Sequence, residues 1–150
     1  VNMLEFSRLN NSMFIFLSTV SIYDSENKLP LHENSTKKPT SPYGAAKLSS
    51  ESYCQAYNRT YDLDTRIVRI FNTFGPRMNH LFISDMINKI KQSGDEIILR
   101  GSGNQIRDYV YIDDLIEAIY FILSYGSPGE DYNICSGEKH RLKKKLKEGC

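Results

Sequence analysis

Short apolar runs alternate with helical patterns along this chain, and that alternation limits the folds open to it. Residues 13–17 are five consecutive apolar side chains, and 64–71 and 132–135 carry further strand-like runs. Such runs are typical of strands buried on both faces of a parallel sheet. Helical patterns lie at 4–9, 43–61, 81–94 and 113–125, and a further short strand is predicted at 96–99. The order predicts an α/β fold with a mainly parallel sheet.

Composition narrows the class of protein. The chain has 150 residues, of which 40% are hydrophobic and 25% charged, which suits a globular domain and excludes a disordered chain. Because no apolar stretch approaches the roughly 20 residues that span a bilayer, we expect no membrane association. The three cysteines are odd in number and form no CxxC pair. They argue against a disulfide framework and a zinc site, so we expect no metal and a cytoplasmic location.

Charge is concentrated at one end of the chain. Residues 138–150 hold six Lys/Arg and two Glu, a net of +4, whereas the remaining residues carry 13 basic and 16 acidic side chains, a net of −3. A basic patch can bind nucleic acid, but a solvated helix face is the favoured interpretation of this tail. We therefore expect no nucleic-acid partner.

A long polar loop with three prolines precedes the first candidate catalytic pair. It covers 24–42, and ordered loops of that length are uncommon unless they are functional. Tyr43 and Lys47 follow it at i and i+4 of a predicted helix, so their side chains share one face. A nearby ammonium lowers the pKa of a phenol, as a general base requires. The pair alone is a weak signal, and an exposed amphipathic turn is the alternative.

A hydroxyl cluster follows directly on the first apolar strand. Ser18 and Thr19 stand at the carboxyl end of that strand, where open α/β sheets place their ligands. The Thr19 hydroxyl could hydrogen-bond the substrate oxygen that Tyr43 deprotonates. A strand-end turn or helix cap is the structural alternative for both residues.

Five segments in order carry a resemblance to a known family. They are FLSTVSIY at 16–23, PTSPYGAAK at 39–47, RIFNTFGPR at 69–77, GNQIRDYVYIDD at 103–114 and YNICSG at 132–137. Together they resemble the NAD-dependent epimerase/dehydratase family, the extended short-chain dehydrogenase/reductases that act on nucleotide sugars. The resemblance implies the C-terminal part of a Rossmann-like doubly wound sheet together with part of a small substrate-binding α/β region.

The same resemblance implies roles for the residues at the strand end and the helix start. Tyr43 would be the acid/base, and Lys47 would bind the nicotinamide ribose and lower the Tyr43 pKa. Ser18 would contact the cofactor, and Thr19 would position the sugar hydroxyl. The implied chemistry is transient oxidation of a sugar hydroxyl, with the hydride passing to NAD.

Two further residues are implied to bind the substrate. Asn72 would contact the nucleotide diphosphate, and Arg107 would pair with its phosphates, because a guanidinium binds phosphate oxygens bidentately. The structural alternatives are a turn residue for Asn72 and a salt bridge to Asp108 for Arg107.

The residues after Thr19 narrow the subtype. Members that are sugar-nucleotide 4,6-dehydratases carry Asp-Glu there to eliminate water, whereas this chain has Val20 and Ser21. We therefore expect an epimerase of the UDP-hexose 4-epimerase type, acting as a homodimer on a nucleotide sugar. A decarboxylase, dehydratase or reductase of the same family, a truncated remnant and a non-catalytic binding subunit are the alternatives. Asp24 and Cys135 stand where the family usually has glycine.

No glycine-rich G-x-x-G-x-x-G segment occurs in the sequence. That segment holds the dinucleotide pyrophosphate in such enzymes, so we expect a fragment that lacks this N-terminal part and is inactive alone. The family implies NAD rather than NADP. The predicted organisation is the second half of the NAD-binding domain at 1–79, part of the substrate-binding region at 80–138, with a return to the sheet near 96–125, and an atypical basic tail at 139–150.

Overall fold

A three-layer α/β arrangement contains most of the described residues. The structure, a computed structural model, describes residues 1–79, 81–92 and 104–141. In chain order its elements are α1 (Asn2–Leu9), β1 (Phe14–Thr19), a 3₁₀ turn (Val20–Ile22), α2 (Pro42–Tyr61), β2 (Thr65–Ile70), β3 (Asn72–Phe74), α3 (Phe82–Gln92), β4 (Ile106–Arg107), β5 (Tyr109–Tyr111), α4 (Ile112–Tyr125), β6 (Asp131–Ile134) and β7 (His140–Arg141). The predicted α/β class is confirmed.

The main sheet has the strand order β1-β2-β6, and all its pairings are parallel. Thr19 at the end of β1 pairs with Ile70 at the end of β2, and Ile70 pairs with Ile134 at the end of β6. The carboxyl ends of the three strands therefore meet at one edge, where α/β sheets bind ligands. The chain returns to this sheet at Asp131–Ile134, and the predicted domain boundaries stay predictions.

Apolar clusters cover both faces of the sheet. Adjacent residues of a strand point to opposite faces, and in β2 Ile67 and Val68 separate in this way. Ile67 packs with Leu4, Cys54 and Leu63 toward α1 and α2. Val68 packs on the other face with a second cluster made of Val110, Leu115, Ile122 and Ile134. Both strand residues are fully buried, and each contributes about 1.5–3 kcal/mol of hydrophobic stabilisation.

Two short strand pairs lie where the sequence showed only connections. β3 runs parallel to β5, although residues 72–79 were expected to form a turn-rich segment, and β4 pairs antiparallel with β7. Strands of two or three residues are too short to show a periodicity, and their pairing partners lie far along the chain. The predicted strand at 96–99 and the predicted helix end near 94 lie outside the described residues.

The start of α4 differs from the prediction. Asp113 and Asp114 were expected to cap this helix, but it begins at Ile112, with Tyr111 at the N-cap and no side-chain capping bond. The two carboxylates lie in the first turn, where they interact favourably with the positive end of the helix dipole. The predicted end at Gly126 is confirmed.

The buried thiol of Cys54 makes stability depend on alkaline pH. Burial, followed by the Glu51 charge, raises the pKa of Cys54 from 9.0 to about 11. Between these values the unfolded thiol loses its proton while the folded thiol keeps it, so stability falls as pH rises. Between pH 8 and pH 11 we expect the free energy of unfolding to fall by about 2–3 kcal/mol more in the unsubstituted chain than in Cys54→Ala. Urea melts of both proteins across that range measure the difference, and parallel pH profiles would contradict it.

Candidate functional site

The start of α2 is built to sit against the turn that follows β1. Ser41 caps the helix by accepting a hydrogen bond from the Gly44 amide at 3.1 Å, and Pro42 occupies the first helical position. A Cβ on Gly44 would come within 2.5 Å of the Ser21 carbonyl oxygen, so only glycine permits this approach. The helix that carries Tyr43 and Lys47 is thereby placed beside the end of β1.

Tyr43 and Lys47 share one face of α2, as their spacing predicted. The Lys47 Nζ donates to the Leu17 carbonyl oxygen of β1 at 2.7 Å. The same ammonium lies 5.9 Å from the centroid of the Tyr43 ring and 4.9 Å from that of Phe16. The Tyr43 side chain is 57% exposed, so its phenol is open to a ligand. The arrangement suits a phenol that donates and accepts protons beside a fixed positive charge.

Ser18 and Thr19 are both buried at the end of β1, but their hydroxyl groups differ in hydrogen bonding. The Thr19 Oγ1 accepts from the Ser21 amide at 3.2 Å and donates to the Ser21 Oγ at 3.3 Å. Thr19 therefore caps the 3₁₀ turn, as expected if its hydroxyl has a structural role. The Ser18 Oγ is buried and has no hydrogen-bond partner among the described residues. A buried hydroxyl without a partner is costly, and a ligand or an ordered water is one way to complete its hydrogen bonds.

Asn72 and Arg107 lie together at a second part of the strand edge. Asn72 begins β3, and its Nδ2 donates to the Asp108 carbonyl oxygen at 2.9 Å. Arg107 forms no ion pair with Asp108, and Arg107 Nη1 donates to the Ile106 carbonyl oxygen at 3.0 Å. The structure therefore excludes the predicted alternative of an Arg107–Asp108 salt bridge. Within the described residues no acidic group pairs with the Arg107 guanidinium, which leaves its charge for an anion.

Asp108 is a site residue that the sequence did not suggest. Its carboxylate accepts hydrogen bonds from the Ser136 amide at 2.8 Å, the Ser136 hydroxyl at 2.9 Å and the Gly137 amide at 2.9 Å. These bonds tie the segment after β6 to the strand that carries Arg107. The adjacency of Arg and Asp suggested an ion pair, and only the fold shows that the carboxylate has other donors.

A cavity of about 600 Å³ connects the turn after β1 with the segments that carry Asn72 and Arg107, and neither Ser18 nor Thr19 is among the described residues that line it. Its lining includes Val20 and Ser21 from the turn after β1, together with Asn72, Arg107 and Cys135. The volume is in the range of small-ligand sites. Tyr43 and Lys47 are not among the described residues that line it. The structure thus brings the two predicted substrate-binding residues to the strand-end turn.

Burial controls the titration of two groups around this cavity. The pKa of Cys135 is raised by partial desolvation and then by the Asp108 charge, although the side chain remains exposed to solvent. Burial also raises the pKa of Tyr23, although the neighbouring Arg69 opposes the shift. Both groups therefore keep their protons at neutral pH.

Neither a metal-binding cluster nor a membrane-spanning helix is found in the described part of the chain. No group of three or more His, Cys, Asp or Glu side chains there could hold a metal ion. None of the helices within 1–79, 81–92 and 104–141 is long and apolar enough to cross a membrane.

Comparison with known proteins places this chain in a family. Residues 1–135 match the model of the NAD dependent epimerase/dehydratase family. Human dTDP-D-glucose 4,6-dehydratase is 33% identical over 121 residues, which cover 81% of this chain and 35% of that protein. A putative UDP-glucose 4-epimerase of Methanocaldococcus jannaschii is 34% identical over 145 residues, which cover 93% of this chain and 47% of that protein.

A solved structure shows the same fold. The UDP-glucose 4-epimerase of Thermotoga maritima, determined with UDP-glucose, matches 97% of this chain with a TM-score of 0.87 and 32% identity. The match covers 48% of that protein, so the chain spans about half its length. Because the family match extends over nine-tenths of the residues and includes every described site residue but Ser136 and Gly137, the chain belongs to the NAD dependent epimerase/dehydratase family.

Proposed function

We propose that this chain carries the catalytic and substrate-facing part of a nucleotide-sugar epimerase of the UDP-hexose 4-epimerase type. One observation carries the proposal: Tyr43 and Lys47 are held at the end of β1, beside a turn in which Val20 and Ser21 replace the acidic pair of a dehydratase. Neither a valine nor a serine side chain can exchange the protons that water elimination requires.

Tyr43 would remove the proton from the sugar hydroxyl. The Lys47 ammonium lies 5.9 Å from the centroid of the Tyr43 ring, so a positive charge stands beside the phenol that would exchange the proton. Lys47 is itself oriented by the Leu17 carbonyl oxygen, to which its Nζ donates at 2.7 Å. Thr19 would turn its hydroxyl from Ser21 toward the sugar and hold the reacting oxygen near Tyr43.

The residues at the strand end fit the nicotinamide ribose of NAD. Lys47 has an ammonium with donors beyond the one given to Leu17, and the Ser18 hydroxyl is buried without a partner. Lys47, Ser18 and Tyr43 would hold this part of the cofactor. When bound, NAD supplies the hydride acceptor and donor for the sugar carbon.

Arg107 would bind the diphosphate of the nucleotide sugar. Its guanidinium has no acidic partner among the described residues and lines the 600 Å³ cavity next to Asn72. Asn72 uses its amide group to hold the Asp108 backbone, so its contribution to the substrate includes fixing the strand that carries Arg107. The full enzyme would act as a homodimer in the cytoplasm. Its domain boundaries would be those predicted from the sequence, with the NAD-binding part at 1–79 and the substrate-binding part at 80–138.

A second candidate function is dehydration, because the human relative at 33% identity is a dTDP-D-glucose 4,6-dehydratase. In the test, residues 1–141 of this chain replace the matching segment of the Thermotoga maritima epimerase. The product, called the grafted epimerase below, has the length of that enzyme. We expect the purified protein to interconvert UDP-glucose and UDP-galactose and to form no dehydrated product from dTDP-glucose. Chromatography and mass spectrometry distinguish these products.

The unmodified host enzyme is the control for the graft. Loss of water from dTDP-glucose without epimerisation would replace the proposal with the dehydratase. A folded graft that binds UDP but turns over neither substrate would indicate a binding subunit instead.

A further inference from the structure

A fully buried arginine lies behind the candidate site. Arg69 is on β2, is 0% exposed, and pairs in the sheet with Ser18 of β1. Its Nε donates to the Glu51 carboxylate at 3.0 Å, and Nη2 donates to Glu51 at 2.8 Å and to Asp131. Its Nη1 donates to the Tyr23 hydroxyl and to the Glu33 carbonyl oxygen, both at 3.0 Å. All five N–H groups of the guanidinium are therefore used.

The partners of Arg69 lie on the segments that carry the proposed catalytic residues. Glu51 is four residues after Lys47 and eight after Tyr43, so the three side chains share one face of α2. Tyr23 directly follows the 3₁₀ turn that Thr19 caps. One guanidinium thus links the helix of Tyr43 and Lys47 to the turn that follows Ser18 and Thr19.

A second set of contacts closes the long loop over this arginine. The Tyr23 hydroxyl donates to the Asn133 side-chain Oδ1 at 2.7 Å, and the backbone N–H of Asn133 donates to the Glu33 Oε1 at 2.8 Å. Lys37 pairs with Asp131 at 3.7 Å. Two cations, Arg69 and Lys37, therefore balance the carboxylates of Glu51 and Asp131. Burial alone would lower the pKa of Arg69, but the Glu51 carboxylate and then the Asp131 charge raise it, so the guanidinium stays charged.

We propose that Arg69 is a positioning residue, which holds the Tyr43–Lys47 face of α2 in a fixed relation to the turn that follows Thr19. The inference rests on the proposed function for its effect on catalysis. A lysine cannot replace the arginine, because its ammonium has three donors and no planar fork to reach the helix, the turn and the loop together.

Arg66 provides a matched control on the same strand. It is also buried, and it donates to the Asp64 carboxylate and to the carbonyl oxygens of Ile122 and Leu123 at the end of α4. These contacts involve neither α2 nor the turn after Thr19. Arg66→Lys therefore removes a buried guanidinium from β2 without touching the proposed link.

The test is amide hydrogen exchange of the full 150-residue chain, followed by mass spectrometry. Each variant is measured at the same interval below its own melting temperature. Under these conditions we expect the amides of residues 20–23 and 43–51 to exchange about tenfold or more faster in Arg69→Lys than in Arg66→Lys. Equal exchange in the two variants would overturn the proposal. If Arg69→Lys does not fold, Tyr23→Phe removes the hydroxyl that accepts from Arg69 and donates to Asn133, and unchanged exchange at 20–23 would overturn the proposal in the same way.

The grafted epimerase supplies a readout that a purely structural role would not change. We expect Arg69→Lys to lower kcat about tenfold or more while KM for UDP-glucose stays within about twofold, because positioning acts on the reacting groups. Arg66→Lys should keep kcat, and an equal fall in both variants would overturn the positioning role. An inactive parent graft would count against the proposed function alone, since the exchange experiment still decides the role of Arg69.

Discussion

Tyr43→Phe is expected to lower kcat of the grafted epimerase by about 10²–10⁴-fold, the range that a positioned acid/base contributes. The substitution removes one hydroxyl from a side chain that is 57% exposed, so it should cost little stability. KM for UDP-glucose should change by less than about threefold, because the proposed phosphate contact belongs to Arg107. Steady-state kinetics at several pH values would measure both constants.

Tyr53→Phe is the matched control for that prediction. Tyr53 lies on the same helix and is 52% exposed, but ten residues, about 15 Å of helix rise, separate it from Tyr43. We expect its kcat to equal that of the parent graft. A Tyr43→Phe variant that keeps kcat within about fivefold of the parent would remove Tyr43 from the role of acid/base.

Glu51→Gln is expected to lower the free energy of unfolding of the 150-residue chain by about 3–5 kcal/mol. The change keeps the shape of the side chain but removes the negative charge that contacts Arg69 Nε and Nη2 in the interior. Asp131 still contacts Arg69, so the lower part of that range is the expected value. Urea denaturation at neutral pH, with the slope compared between proteins, measures the loss.

Glu117→Gln controls for the loss of a helical carboxylate. Glu117 is exposed on α4 and has no ion pair among the described residues, so we expect a change within about 0.5 kcal/mol. A loss below about 1 kcal/mol for Glu51→Gln would show that the buried pair adds little beyond its hydrophobic surroundings. Such a result would also weaken the link between α2 and β2.

The strands of the main sheet and the shared face of Tyr43 and Lys47 could be predicted, because each is encoded by residues close together in the sequence. The run at 13–17 is apolar throughout, and it forms β1 at the edge of the described sheet. Ile15 packs partly buried on one apolar cluster and Phe14 and Phe16 on the other, whereas Met13 and Leu17 are exposed, so the predicted burial on both faces is only partial. The i, i+4 spacing places the Lys47 ammonium beside the Tyr43 ring in any regular helix. The five ordered segments likewise predicted a family that the comparison confirmed.

Contacts between distant residues required the tertiary structure. The Asn72–Asp108 bond joins residues 36 apart, and the Arg69–Asp131 contact joins residues 62 apart. A charged residue within a strand gives no sign of which carboxylate will face it, since its partner is chosen by the packing of α2 and β6 on β2. For the same reason adjacency suggested an Arg107–Asp108 pair that the fold does not form.

The sequence by itself therefore determined the α/β class, the family and the pairing of Tyr43 with Lys47, because local periodicity and ordered motifs encode them. Only the tertiary structure decided that Arg69 uses all its donors behind the site and that Arg107 is left without an acidic partner among the described residues. The physical reason is that burial makes an unpaired charge costly, so the buried Arg69 takes whichever partners the fold brings within reach, whereas water solvates the exposed guanidinium of Arg107.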